Sequence, residues 1–370
     1  MINTITDCWV SVWARLRQDE VIQIPQEYAV NTDFTAHADI SEIKSLFVQI
    51  NTLYINIYGD IAEQPEKYGM PMHPKDKHRI FSQQWRDSGQ APYRPFILLY
   101  NLFICGNMSE NNVIRVPAAT FKSMNTVRQI HFLFGKLTEY GFVFEGLRNN
   151  KFSDGDIMIS YPNNAALLSL FKTLAEKARN TDRLDDFLNC HFRLLQDSMN
   201  TANYGNGADD VADRVHTEAE KEFVYKMDEA LISKGIFRKP YGGFECRGLA
   251  YYDTQKAMET KKPYLYRMVS RTPDIEHNIY EGEKLQLMLR VRNVEKCIEY
   301  IKTCPDSIQE IFTHDDSGCA HRANCNMGVA YTFNGVSYWK CGCCAPPLRF
   351  KPKISDIPHY IKLVELGEKK

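Results

Sequence analysis

The sequence lacks any apolar run of the ~18 residues that a membrane-spanning helix needs. Its longest hydrophobic segments, such as Pro95-Phe-Ile-Leu-Leu-Tyr100, have the length of core elements. No transmembrane helix and no membrane partner are therefore expected. Net charge is also lacking: 45 Lys and Arg against 46 Asp and Glu leave a formal −1. That balance excludes whole-protein attraction to nucleic acid or anionic lipid, so any such surface has to be a local patch. Lys and Arg are absent before Arg15, and no apolar h-region follows, so a secretory leader is not expected. There is no G-x-G-x-x-G after a strand pattern, no G-x-x-x-x-G-K-[ST] and no G-x-S-x-G. Dinucleotide-fold, P-loop and nucleophile-elbow chemistries lose their sequence signatures with them.

What is present is a soluble-type composition, 44% hydrophobic and 25% charged. A chain of 370 residues exceeds one ordinary core, so more than one domain is expected. Residues 1–205 read as mainly helical. Apolar periodicity predicts helices over 4–17, 40–57, 165–179 and 182–195. Residues 62–93 read as a long irregular connection. The Asn-, Gly- and Asp-rich stretch ending the first half predicts a linker at 206–217, with Asp209, Asp210 and Asp213 as solvated loop carboxylates. Residues 218–370 carry strand patterns followed by helices. Together the halves predict a multi-domain α+β fold.

Within the first half, Val116-Pro117 opens a short helix through Met124. Asn125 is placed to cap a second helix over 126–140, which Gly141 ends. Strands at 142–144 and 157–161 flank a polar loop. This order over 110–162 resembles a winged-helix unit. A DNA reader of that kind needs a basic outer helix face. Here Arg128, Lys136, Arg148 and Lys151 are offset by Glu139, Glu145, Asp154 and Asp156. A structural or protein-binding use is the preferred reading, with nucleic acid as the other possible partner.

The densest chemical signal is at the C-terminal end. Five of the eleven cysteines fall within residues 319–344: Cys319, Cys325, Cys341, Cys343 and Cys344. Between them, Val329, Tyr331 and Phe333 alternate with polar or small residues, and Asn334-Gly335 is a type I′ turn signal. A two-residue loop there pairs Phe333 with Val336, and the same register puts Cys325 opposite Cys344. Paired thiolates at the base of a hairpin follow the logic of a zinc ribbon, in which zinc takes four tetrahedral ligands. Cys325, Cys341 and Cys344 supply three of them and Cys319 the fourth. His321 and Cys343 stand in reserve, because the gap from Cys319 to Cys325 is wider than the usual spacing. Four or more N/S ligands leave no open position, so the predicted zinc is structural.

Thiol-redox chemistry at Cys341-Gly-Cys343-Cys344 is one alternative. A second is an enzyme acting on a small molecule between the halves, with Tyr251, Tyr252, Tyr264, Tyr266, Arg267 and Arg271 as lining candidates. No general base, catalytic residue or cofactor site is identified. The uneven spacing of Cys8, Cys105, Cys190 and Cys246 predicts free buried thiols and a reducing cytoplasm.

Residues 285–366 resemble a group of uncharacterised bacterial proteins. The shared parts are the strand Leu285–Arg292, the helix Val294–Lys302, the pairs Cys319/Cys325 and Cys341/Cys344, the hairpin Val329–Tyr338 and the motif Ile357-Pro-His-Tyr360. The resemblance implies no known activity.

Overall fold

The computed structural model describes residues 8–368, except 22–23, 37, 75–82, 110, 150, 153–154, 197–206, 216, 244–245, 261–263, 272–284, 292, 314–327 and 341–347. The chain divides into two compact units, Met1–Tyr204 and Gly205–Lys370. No helix among the described residues is long and apolar enough to cross a membrane.

The first unit is built on helices α1 (Trp9–Glu20), α2 (Ile40–Glu63), α3 (Gln83–Gln90) and α4 (Arg94–Cys105). The Asp39 side chain caps α2 by accepting from the Glu42 N–H at 2.9 Å. From there Ile43, Leu46, Phe47, Ile50, Tyr54, Ile57 and Tyr58 form the buried stripe that the period requires. Tyr54 stacks on Phe96 of α4 with ring centroids 3.7 Å apart.

Next come β1 (Asn107–Met108), β2 (Ile114–Val116), α5 (Ala118–Met124) and α6 (Ile130–Glu139). They are followed by β3 (Val143–Glu145), the small pair β4 (Leu147–Arg148) and β5 (Lys151–Phe152), and β6 (Ile157–Ser160). Strands β1-β2-β6-β3 make an antiparallel sheet, so β6 lies between the strand before α5 and the strand after α6. The unit closes with α7 (Ala165–Asn180), α8 (Leu184–Leu188) and α9 (Arg193–Gln196).

Three expectations are corrected here. Residues 62–93 hold a 3-10 turn at Pro65–Tyr68 and helix α3 as well as irregular chain, because Trp85 and Tyr68 are large enough to anchor them in the core. The helix expected over 126–140 starts only at Ile130. Asn125 does not cap it: its side chain accepts from the Val127 N–H at 3.2 Å, an Asx-type turn that competes with helix. Gly141 ends α6 with φ +95°, as its position required. The helix expected over 182–195 breaks into α8 and α9 around Cys190, which adopts φ +50°.

The second unit begins with α10 (Ala208–Ala212) and α11 (Glu218–Ile232). Part of the expected linker is thus core, with Val211, Ala212 and Val215 buried. A capping box starts α11, with Thr217 and Glu220 each accepting from the other's backbone N–H. Then follow β7 (Phe237–Gly243), β8 (Cys246–Tyr252), α12 (Gln255–Glu259), β9 (Tyr266–Arg271) and β10 (Leu285–Leu289). After them come α13 (Ile298–Lys302), α14 (Asp306–Thr313), β11 (Val329–Phe333), β12 (Val336–Lys340), β13 (Leu348–Phe350) and α15 (Ile357–Glu368). The main sheet is antiparallel in the order β13-β10-β9-β8-β7. Leu285, Leu287 and Leu289 alternate into one face, where Phe223 of α11, Ile308 of α14 and Tyr360 of α15 share their core. Both units mix helices with small antiparallel sheets, the multi-domain α+β fold expected from the element pattern.

Candidate functional site

The hairpin expected at the cysteine-rich end is present in the second unit. Phe333 pairs with Val336 and Val329 with Lys340. Asn334 has φ +51° and Gly335 φ +78°, the left-handed pair that a type I′ turn demands. Tyr331 and Phe333 drive one face of the hairpin into the unit's core, at 3% and 1% exposure. The Tyr331 hydroxyl donates to the Phe312 carbonyl at 2.7 Å, tying β11 to α14. Tyr331 also stacks on its cross-strand partner Tyr338, with centroids 5.8 Å apart. Cys319, His321, Cys325, Cys341, Cys343 and Cys344 lie outside the described residues. In sequence, Cys325 stands four residues before Val329 and Cys341 directly follows Lys340.

Cys8, Cys105 and Cys190 are buried and unbridged, the state expected of isolated thiols, and so are Cys297 and Cys304. The side chain of Cys246 lies outside the described residues. Burial pushes the Cys190 thiol well up and the Cys297 thiol up to about 11. Neither is prepared as a nucleophile, which needs the opposite shift.

The aromatic and arginine residues considered as a small-molecule site do not share one face of the sheet. Tyr251 and Tyr266 are cross-strand partners buried in the core. The Tyr251 hydroxyl donates to Asp228 at 2.9 Å and that of Tyr266 to the Ile361 carbonyl at 3.4 Å. Tyr252 and Tyr264 pack with Ala250 and Ala257 in a separate small cluster, and Arg267 lies over the Tyr264 ring at 4.8 Å. Strand alternation separates the two sets. The side chain of Arg271 lies outside the described residues.

In the first unit the informative surface is α6. Its inner face is Leu133, Phe134 and Leu137, all buried. Phe134 meets Phe144 of β3 edge-on at 4.8 Å. Phe132, Lys136 and Glu139 lie about 140° round the helix from that face. Part of this outer face meets α2 and the turn after it: Lys136 is buried there, while Phe132, 40% exposed, and Glu139 remain open to solvent. Gly69, with φ +62°, sits so close to Phe132 that a Cβ there would come within 2.7 Å of the ring. Lys136, the sole Lys or Arg in α6, is 7% exposed and makes ion pairs of 2.8 Å to Asp60 and 2.6 Å to Glu139. Its ammonium also lies 5.3 Å from the centre of the Tyr68 ring, whose hydroxyl donates to Asp60 at 2.9 Å. Burial alone would lower the Lys136 pKa, but the hydrogen bonds to Asp60 and Glu139 outweigh it and the net shift is upward. The Tyr140 hydroxyl completes the contact by donating to the Asn56 carbonyl at 3.2 Å.

The mixed charges from Arg128 to Asp156 predicted an ordinary solvated face; Lys136 is instead buried against Asp60. Asp60 and Tyr68 as the partners of Lys136 had no sequence signal, since they lie in a helix and a turn far back along the chain. Comparisons with protein-family models, with curated proteins and with solved structures found no match to this chain.

Proposed function

We propose that this is a cytoplasmic binding or regulatory protein that works through protein contacts, with a winged-helix module at residues 110–162 and a structural zinc in its C-terminal hairpin. The observation that carries the reading is the outer face of α6. A winged-helix DNA reader places that face in the major groove and relies on cations there. Here the lone Lys of α6 is consumed by Asp60 and Glu139, and Gly69 packs on Phe132. The order α4, β2, α5, α6, β3, β4–β5, β6 supports the winged-helix assignment.

For the metal, support comes from the hairpin register, in which Val329 stands opposite Lys340; in sequence Cys325 lies four residues before the one and Cys344 four residues after the other. Cys319, Cys325, Cys341 and Cys344 are the proposed ligands, with His321 and Cys343 in reserve. Zinc bound there contributes directly to folding of the unit. Four thiolates would fill a tetrahedral zinc site, so no reaction is assigned to it.

Two measurements test the reading. Fluorescence anisotropy with a mixed-sequence duplex at about 50 mM salt should show no binding at micromolar protein; binding with a steep salt dependence overturns the protein-contact assignment. Metal analysis of reduced protein purified without chelator should find zinc, lost together with hairpin folding in Cys319→Ser and Cys344→Ser. Metal-free, folded wild-type protein overturns the zinc assignment.

A further inference from the structure

Cys304, His359 and Tyr300 come together in the second unit from three places in the chain. Tyr300 is on α13, Cys304 lies between α13 and α14, and His359 is in the first turn of α15, within the Ile357-Pro-His-Tyr360 motif. The Tyr300 hydroxyl is 2.8 Å from His359 Nδ1, and Cys304 Sγ is 3.5 Å from the same nitrogen. A neutral ring nitrogen of this kind accepts one proton or donates one, so it cannot satisfy both neighbours in the same way. Cys304 has another acceptor for its S–H, the Tyr300 carbonyl at 3.3 Å. With that proton turned to the carbonyl and the Tyr300 hydroxyl donating to Nδ1, sulfur faces the imidazole with lone pairs. Zinc–sulfur bonds of ~2.3 Å and zinc–nitrogen bonds of ~2.0–2.1 Å at a tetrahedral angle separate S from N by about 3.5 Å. Sγ and Nδ1 already stand at that separation.

We infer that Cys304 Sγ and His359 Nδ1 form a binding site for a borderline-to-soft divalent cation such as zinc, cobalt or cadmium, with the Tyr300 oxygen as a third donor. Thiolate and imidazole are the donor pair that such cations select. On binding, the Cys304 thiol releases its proton to solvent, and the Tyr300 hydroxyl gives up its bond to Nδ1. His359 and Tyr300 are only partly buried, so water can reach the remaining position. Burial, and after it the negative charge of Asp356, raise the Cys304 thiol pKa, so the cation has to compete with the proton; Asp356, 3% exposed and held by the hydroxyls of Ser307 at 2.7 Å and Ser355 at 2.9 Å, also places negative charge beside the site. The site uses none of the cysteines proposed for the hairpin zinc and does not depend on that reading.

The test is a cobalt titration of the full-length, reduced, chelator-stripped protein, followed by the thiolate-to-cobalt charge-transfer band and by stoichiometry. Wild-type protein should bind one equivalent more than Cys304→Ser, and His359→Gln should weaken that equivalent at least tenfold. A variant with Ser at 319, 325, 341, 343 and 344 should keep one equivalent with a thiolate band, which Cys304→Ser in that background abolishes. Equal stoichiometry for wild type and Cys304→Ser, both folded by circular dichroism, overturns the inference even if the five-serine variant does not fold. Loss of all binding in a folded five-serine variant also overturns it. If wild type and the five-serine variant bind equally, it is the hairpin zinc that fails.

Discussion

Removing the Asp60 carboxylate should loosen the outer face of α6 more than any other single change there. The side chains of Lys136 and Asp60 are 8% and 18% exposed and 2.8 Å apart. Breaking a fully buried pair by deleting one partner costs about 3–5 kcal/mol, mostly because a charge is left buried without its counter-ion. Asp60 is in partial contact with solvent and Glu139 stays within 2.6 Å of Lys136, so the cost falls to about 2–3 kcal/mol. The Tyr68 hydroxyl and the Gln64 amide lose an acceptor in the same step. For a unit of this size, a Tm drop of about 5–10 °C follows. Asp60→Ala, Lys136→Met and the double variant are compared by urea unfolding with tryptophan fluorescence. Trp9, Trp13 and Trp85 report on the first unit and Trp339 on the second. The double variant should be no less stable than Asp60→Ala alone, because the uncompensated ammonium is gone, giving a coupling of about 1–3 kcal/mol. If the two single effects add, or if Asp60→Ala changes stability by less than about 0.5 kcal/mol, Lys136 is not held as argued and the outer face of α6 is free to bind elsewhere.

The remaining predictions concern the turn, the cap and pH. Gly335→Ala meets no atom within 4 Å, so its effect is backbone alone. It should cost about 1–2 kcal/mol in the second unit, read by thermal melts. Tyr331→Phe should cost about 1 kcal/mol by leaving the Phe312 carbonyl without its donor. In the capping box, Thr217→Ala should cost about 1 kcal/mol. Glu220→Ala should cost more, because Glu220 also accepts from the Leu285 N–H at 2.6 Å and so joins α11 to the sheet; equal losses for the two variants would contradict that link. Alkali should unfold the first unit. Burial raises the Tyr54 and Tyr58 phenols well above the ordinary 10.0, and Lys136 lies above its ordinary 10.5. All three folded-state values are raised, so their contribution is complete below about pH 10 and is lost as pH rises from there toward the folded values. Of the 20 tyrosines, some such as Tyr225 are exposed, so the check is that a distinct fraction of the tyrosinate absorbance appears only together with loss of helical circular dichroism.

Much of the local structure was legible because it is written in short-range patterns. The stripe from Ile43 to Tyr58 predicts α2, and Asn334-Gly335 predicts both the hairpin and its register. Such signals depend on neighbours three, four or two positions apart, which the sequence displays directly. Where local signals compete, the chain departs from its simplest pattern. Asn125 closes an Asx turn although it suits a cap, and Val211 and Val215 bury a stretch whose Asn, Gly and Asp neighbours read as linker.

By itself, then, the sequence determined the α+β character, the amphipathic helices and the hairpin that carries the cysteine groups. The tertiary structure alone decided what meets the outer face of α6, by setting Asp60, Tyr68 and Gly69 near Lys136 and Phe132. It also placed Tyr251 and Tyr252 on opposite sides of one sheet and brought Cys304 to His359 across 55 positions of chain. Periodicity says which face of an element is apolar. Which other element covers that face, and which charge meets which, depends on packing between segments distant in the chain, and no local pattern records it.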